Sequence, residues 1–176
     1  MITNEQRELI KDFTFEVRKL YNFSLIPSDP NYKTIECISN YMGGGIEYSN
    51  HTNDVCVCRC GSEFIIKMPQ TDELTRKLKY FAEAIYIIIF QMYYRVDNEK
   101  YMSNPNMEYQ RENSTNCDFL LNFIDELICP EHDLCQIAEN CCDRDGKLKI
   151  SDVAKKIGLN ESYVEHQLVR CNIIKH

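Results

Sequence analysis

Residues 76–90 read Arg-Lys-Leu-Lys-Tyr-Phe-Ala-Glu-Ala-Ile-Tyr-Ile-Ile-Ile-Phe, the most apolar segment of the chain and close to its middle. Between Tyr80 and Tyr94 the only charged residue is Glu83. A helix apolar on all sides belongs inside a core rather than on its surface. A carboxylate carried into that core is costly unless it is paired, hydrogen-bonded or protonated. The segment therefore predicts a central helix over about residues 72–95 and a buried, structural Glu83 whose pKa desolvation raises. Tyr86, one turn on, or a backbone group is the expected hydrogen-bond partner.

Upstream, Thr3 and Gln6 have the spacing of a capping box. Leu9, Ile10, Phe13, Val17 and Leu20 follow at helical spacing, which predicts an amphipathic helix over about 4–21. Asp29 before Pro30 reads as the start of a second helix, with Ile35, Ile38 and Met42 on its apolar face. Gly43-Gly44-Gly45 stops it; a phosphate loop would need a following helix and a lysine, and neither is here. Three strands are then expected, over 46–49, 55–60 and 63–68, separated by turn-like residues 50–54 and Gly61-Ser62. They predict a small antiparallel sheet, ended by Pro69. Residues 97–116 are polar and read as a loop. Helical spacing returns over 118–129, with Phe119, Leu120, Phe123, Leu127 and Ile128, until Pro130 stops it.

The tail has its own pattern. Residues 134–142 suggest a helix and 143–146 a turn. Residues 151–168 then read as helix-turn-helix: Ala154 is small where two helices cross, Gly158 permits the turn, and Asn160 caps the second helix. The face expected to be exposed carries Glu161, Glu165, His166 and Arg170. Two carboxylates there repel phosphate, so the element reads as helical packing rather than as a DNA reader. A calcium loop at Asp143 fails because Lys147 and Lys149 stand where oxygen ligands are needed.

Twenty basic against 27 acidic residues leave a net charge of -7. Phosphate neutralisation needs a basic face, so direct nucleic-acid binding is not expected. Residues 1–8 lack the basic and apolar regions of a secretory signal, and the apolar run is too short to span a bilayer. The expectation is a cytoplasmic protein with no membrane attachment and ten reduced cysteines. Cys56, Cys58 and Cys60 would share one face of a strand. At a rise of ~3.3 Å per residue the outer two lie ~13 Å apart. One ion therefore cannot take all three, and a plain thiol-bearing strand is expected.

The frame Ala82-Glu83-Ala84-Ile85-Tyr86 resembles the His-Glu-x-x-His helix of zinc peptidases, in which two histidines hold the metal and the glutamate is the general base. Arg76–Phe81 before it and Ile87–Ile89 after it resemble the flanks of that motif in the ImmA/IrrE metallopeptidases. Leu127-Ile128-Cys129-Pro130 resembles the end of that family's third-ligand helix. Counting back places the ligand position at Phe119, or at Asp118 with a register slip. The resemblance runs from about residue 5 to 174. It implies an α+β, zincin-like minimal core, with helices packed on a small antiparallel three-stranded sheet over residues 1–130. A helical, helix-turn-helix-like tail over 131–176 completes it. The strand 63–68 resembles the family's edge strand, which holds substrate in extended form.

All three ligand positions, Ala82, Tyr86 and Phe119, have lost their metal-binding side chains. Without metal, Glu83 cannot bring water down from its bulk pKa of ~15.7. The resemblance thus implies a pseudoenzyme with no catalytic residues, no metal and no cofactor. Such a chain would bind a protein or peptide partner through Phe64, Ile66, Ala82, Glu83 and Tyr86. Active family members cut helix-turn-helix repressors, often of mobile elements, so a basic DNA-binding regulator is the implied partner. The alternatives are an active zinc peptidase with displaced ligands, supported by convergence of histidines and carboxylates in the fold, and a transcription regulator acting through the tail. A cysteine hydrolase built on Cys129 and His132 is the remaining enzyme reading.

Overall fold

The computed structural model describes residues 2–50, 53–93, 108–111, 117–143 and 145–175. Helix α1, Asn4–Leu20, begins at the expected capping box: the Thr3 hydroxyl accepts from the Gln6 amide, and the Gln6 side chain accepts from the Thr3 amide. Ile10, Thr14 and Val17 turn inward, while Leu9 and Leu20 are exposed. Helix α2, Ile35–Tyr41, starts later than Asp29-Pro30 suggested. The Asp29 carboxylate instead accepts from the Asn31 amide and closes a turn, and Thr34 is the cap. Gly43, at φ +86°, ends the helix as expected. Gly44 opens the next strand, where an added Cβ would run into the Phe64 ring.

The sheet corrects the sequence reading. Strands β1 (Gly44–Ser49), β2 (Cys56–Cys60), β3 (Glu63–Pro69) and β4 (Glu108–Gln110) form a four-stranded mixed sheet in the order β1-β3-β2-β4. β1 runs parallel to β3, and β2 is antiparallel to both β3 and β4. The three-stranded antiparallel sheet is therefore incomplete. β4 arises inside the polar stretch read as loop, where Tyr109 between two polar neighbours gives too short an alternation to stand out. The turn between β2 and β3 needs two residues, and Gly61 supplies the positive φ at its first central position. β3 is interior, paired on both sides, so the expected edge strand over 63–68 is instead the sheet's centre. Its alternation explains why: Phe64, Ile66 and Met68 are buried on one face, and β-branched and aromatic side chains suit that position.

Helix α3, Leu74–Ile87, packs across the buried sheet face and passes into a π-helical segment, Ile88–Tyr93. The expected single α-helix to Arg95 is thus shorter, and Arg95 lies outside the described residues. The run Ile87-Ile88-Ile89 is β-branched throughout and gives the α-helix its stiffest side chains where the winding widens. Nor is α3 enclosed on all sides. Phe81, Ala82, Ala84 and Ile85 are buried, but Tyr80, Glu83, Tyr86 and Phe90 form a half-buried stripe.

Helix α4, Cys117–Ile128, packs on α1 and α3. Pro130 separates it from α5, Glu131–Glu139. The Asp143 carboxylate accepts from the Asp145 and Lys147 amides and closes the expected turn. Helices α6 (Ile150–Ile157) and α7 (Glu161–Arg170) follow, joined through Gly158 at φ +78° and the Asn160 cap, which accepts from the Tyr163 amide. Val153, Ile157, Val164 and Leu168 belong to the same apolar core as α3 and α4. No helix among the described residues is long and apolar enough to cross a membrane.

Candidate functional site

Tyr80 and Glu83 open from α3 into a cleft of about 740 Å³. Ile2 and Arg7 close it from the start of α1, Leu121 and Asp125 from α4, and His166 and Arg170 from α7. Leu121 is an exposed apolar side chain at its rim. The Glu83 side chain is 19% exposed, so the expected burial is partial: most of the side chain is covered and its carboxylate reaches the cleft. Burial still raises its pKa, as expected; Arg111 opposes the rise and the Asp54 charge adds to it. Arg111, just past β4, lies 3.9 Å away and is the ion-pair partner, in a segment the sequence reading left as loop.

The resembled ligand positions meet, but not as donors. The rings of Tyr86 and Phe119 stand 6.4 Å apart, and Phe90, Phe123 and Phe13 complete an aromatic cluster around them. The tilted and edge-on geometries are those aromatic quadrupoles favour. Ala82 is buried one turn before Tyr86. Phe64 and Ile66 are also fully inside and face the core, so no peptide reaches them along a sheet edge.

Of the histidines, His166 shares the cleft with Glu83, and His132 lines a separate pocket with Arg18 and Asp133. His51 and His176 lie outside the described residues. Cys129 is completely buried, and desolvation pushes its thiol far up, so it is not a nucleophile for His132 to activate. Arg170, expected on an exposed face, turns inward instead. Its Nη2 lies 3.4 Å from Glu126 Oε2, and its Nε donates to Gln167 Oε1 at 2.6 Å. Beside it, the Tyr163 hydroxyl donates to Asp125 at 3.0 Å, and Lys79 sits 4.6 Å above the Tyr163 ring. Glu161, Glu165 and His166 are exposed as expected.

Among the described residues, the grouping with metal-holding geometry is Cys56, Cys58 and Glu108. One ligand atom from each lies within 4.8 Å of the others. Cys58 is paired across the ladder with Glu108, and Cys56 with Gln110. The sequence shows the two thiols on one face, but the third member comes from a strand some 50 residues on that periodicity does not reveal. Burial, followed by hydrogen bonding to Glu108, raises the Cys56 thiol to about 12. Glu108 is held below its ordinary value by hydrogen bonds from Gln110 and Cys56.

Compared with known protein families, curated proteins and solved structures, the chain matches none of the three.

Proposed function

We propose that this chain is a catalytically inactive relative of the ImmA/IrrE metallopeptidases that works by binding a protein partner, a basic DNA-binding regulator such as a helix-turn-helix repressor. The observation that carries this reading is the pairing of Tyr86 with Phe119. Two positions far apart in sequence, both assigned as former ligands by resemblance, come together and are filled by rings. A carboxylate, Glu83, lies one turn away, and among the described residues no imidazole pair stands beside it to hold a metal. The binding surface is the cleft in front of Glu83 rather than the β3 edge, because β3 is interior. The cleft combines apolar Ile2, Leu121 and Val169 with three carboxylates, Glu83, Asp118 and Asp125, and three cations, Arg7, Lys79 and Arg170. The overall acidic charge favours a basic partner and predicts an association that weakens with salt.

The test is retrieval from native lysate with the tagged chain, then titration of the recovered protein against purified variants. The partner is expected to bind saturably, to remain uncut, and to lose at least about tenfold in affinity to Leu121→Asp, which puts a charge into a desolvated rim. Cleavage of the partner that stops in Glu83→Gln would replace this reading with the active peptidase. Tight binding of the chain itself to duplex DNA would replace it with the transcription regulator.

A further inference from the structure

We propose that Cys56, Cys58 and Glu108 form a binding site for a thiophilic divalent cation of the zinc class, on the outer face of the sheet and separate from the Glu83 cleft. β2 puts the two sulfurs on one face two residues apart, and the antiparallel ladder sets Glu108 directly across from Cys58. The three ligand atoms already lie within 4.8 Å of one another. A tetrahedral ion with sulfur at ~2.3 Å and oxygen at ~2.0–2.2 Å needs them about 3.5–3.8 Å apart. Small side-chain rotations supply that difference. Cys60 stays outside: the β2–β4 ladder ends at Cys58.

The donor set selects the metal. Two thiolates and one carboxylate suit zinc and disfavour magnesium and calcium, which take oxygen. Two thiolates, a carboxylate and a dication sum to one negative charge. Lys67 of β3, cross-strand from Cys56, faces the same cluster; the Cys58 thiol and then Glu47 raise its pKa. Its ammonium offsets the remaining charge. Glu47 of β1, cross-strand from Lys67, and Glu63 of β3, cross-strand from Cys60, are further ionisable groups on this face. Cys56 is buried, Cys58 half-buried and Glu108 exposed, so the fourth position opens to solvent and takes water. In the metal-free protein the Cys56 thiol stays protonated and donates a hydrogen bond to the Glu108 carboxylate. Binding replaces the protons of both thiols with the two metal–sulfur bonds and releases both protons to solvent. Affinity therefore rises with pH.

The experiment uses the full, reduced chain with reductant removed under anaerobic conditions, titrated with cobalt(II) as a spectroscopic stand-in and then with zinc. The expected result is one equivalent of cobalt with a sulfur-to-cobalt charge-transfer band and tetrahedral d–d bands, bleached by zinc. Cys56→Ser and Cys58→Ser abolish the band, Glu108→Gln weakens binding by about tenfold, and Cys60→Ser and Cys171→Ser leave it unchanged. A measurement on the unmutated chain guards against a variant that fails to fold: zinc should slow alkylation of Cys58 and leave Cys60 as reactive as before. Absence of a sulfur band in the folded chain, or equal zinc protection of Cys58 and Cys60, would overturn the assignment.

Discussion

Arg170 and Glu126 form an ion pair at 3.4 Å with side chains 14% and 6% exposed. Burial raises Glu126 above its ordinary value although Arg170 pulls it back, so the carboxylate depends on this one cation. Its other oxygen accepts from the Glu131 amide at 3.2 Å and finishes the start of α5. Arg170→Ala should therefore lower unfolding stability by about 3–5 kcal/mol, because it strands a buried charge. The double replacement Glu126→Leu with Arg170→Met should recover most of the loss. Urea midpoints of the three proteins decide the matter; equal losses in the single and double variants would count against a paired charge.

Glu83 has the opposite economy, a carboxylate whose ionised form the fold disfavours. Its pKa is raised on folding, so its contribution to stability is complete below the ordinary value of 4.5 and is lost as pH rises through the raised value. Glu83→Gln forfeits a partly exposed pair with Arg111, which is worth about 0–1 kcal/mol. The variant should then be as stable as the parent to within about 1 kcal/mol at neutral pH. Relative to the parent it should fare worse as pH falls toward 4.5. Thermal melts across that window check the slope; a parent that gains on the variant as pH rises would refute it.

Gly158 turns the chain between α6 and α7 at φ +78°, and a Cβ there would sit 2.9 Å from Pro27 Cγ. Gly158→Ala should cost about 1–2 kcal/mol from the left-handed backbone alone, plus the displacement of Pro27. Combining it with Pro27→Ala should return the contact part and leave the backbone part. Denaturation of the single and double variants separates the two.

Phe123 is fully buried and touches the rings of Phe13, Tyr86 and Phe90. Phe123→Ala should destabilise by about 3–5 kcal/mol. Phe119→Leu, at a half-buried position of the same cluster, should stay under about 1.5 kcal/mol. A Phe119 variant that loses partner binding while keeping its stability would place the cluster in recognition as well as packing.

Local signals carried much of this fold into view. Thr3 with Gln6, Gly158 with Asn160, and Pro130 each act within one helical turn, so their spacing alone locates them. Strand pairing is not local. Nothing near Phe64 says that β1 joins it in parallel on the side away from β2, or that Tyr109 returns to pair with Val57. The same limit hid the partners of charge. Arg111 at Glu83 and Arg170 at Glu126 are separated from their carboxylates by tens of residues, and an isolated basic residue in a polar stretch carries no address. Glu83 was legible as the residue to explain because an apolar run makes any carboxylate conspicuous. Glu108 was not, since it sits among other polar residues.

The strand order also sets how much chain each pairing must close. The turn at Gly61 lets β2 and β3 close as a hairpin with almost no loop to order. β1 pairs with β3 alone, on the edge that the hairpin leaves open. β4 must be brought back from beyond α3, across some 50 residues, for three residues of pairing. Its ladder is three residues long, so a ligand gripping Glu108 and the thiols of β2 would brace the shortest seam of the sheet. Held there, β4 also holds the chain that delivers Arg111 to Glu83, which ties the outer face of the sheet to the cleft behind it.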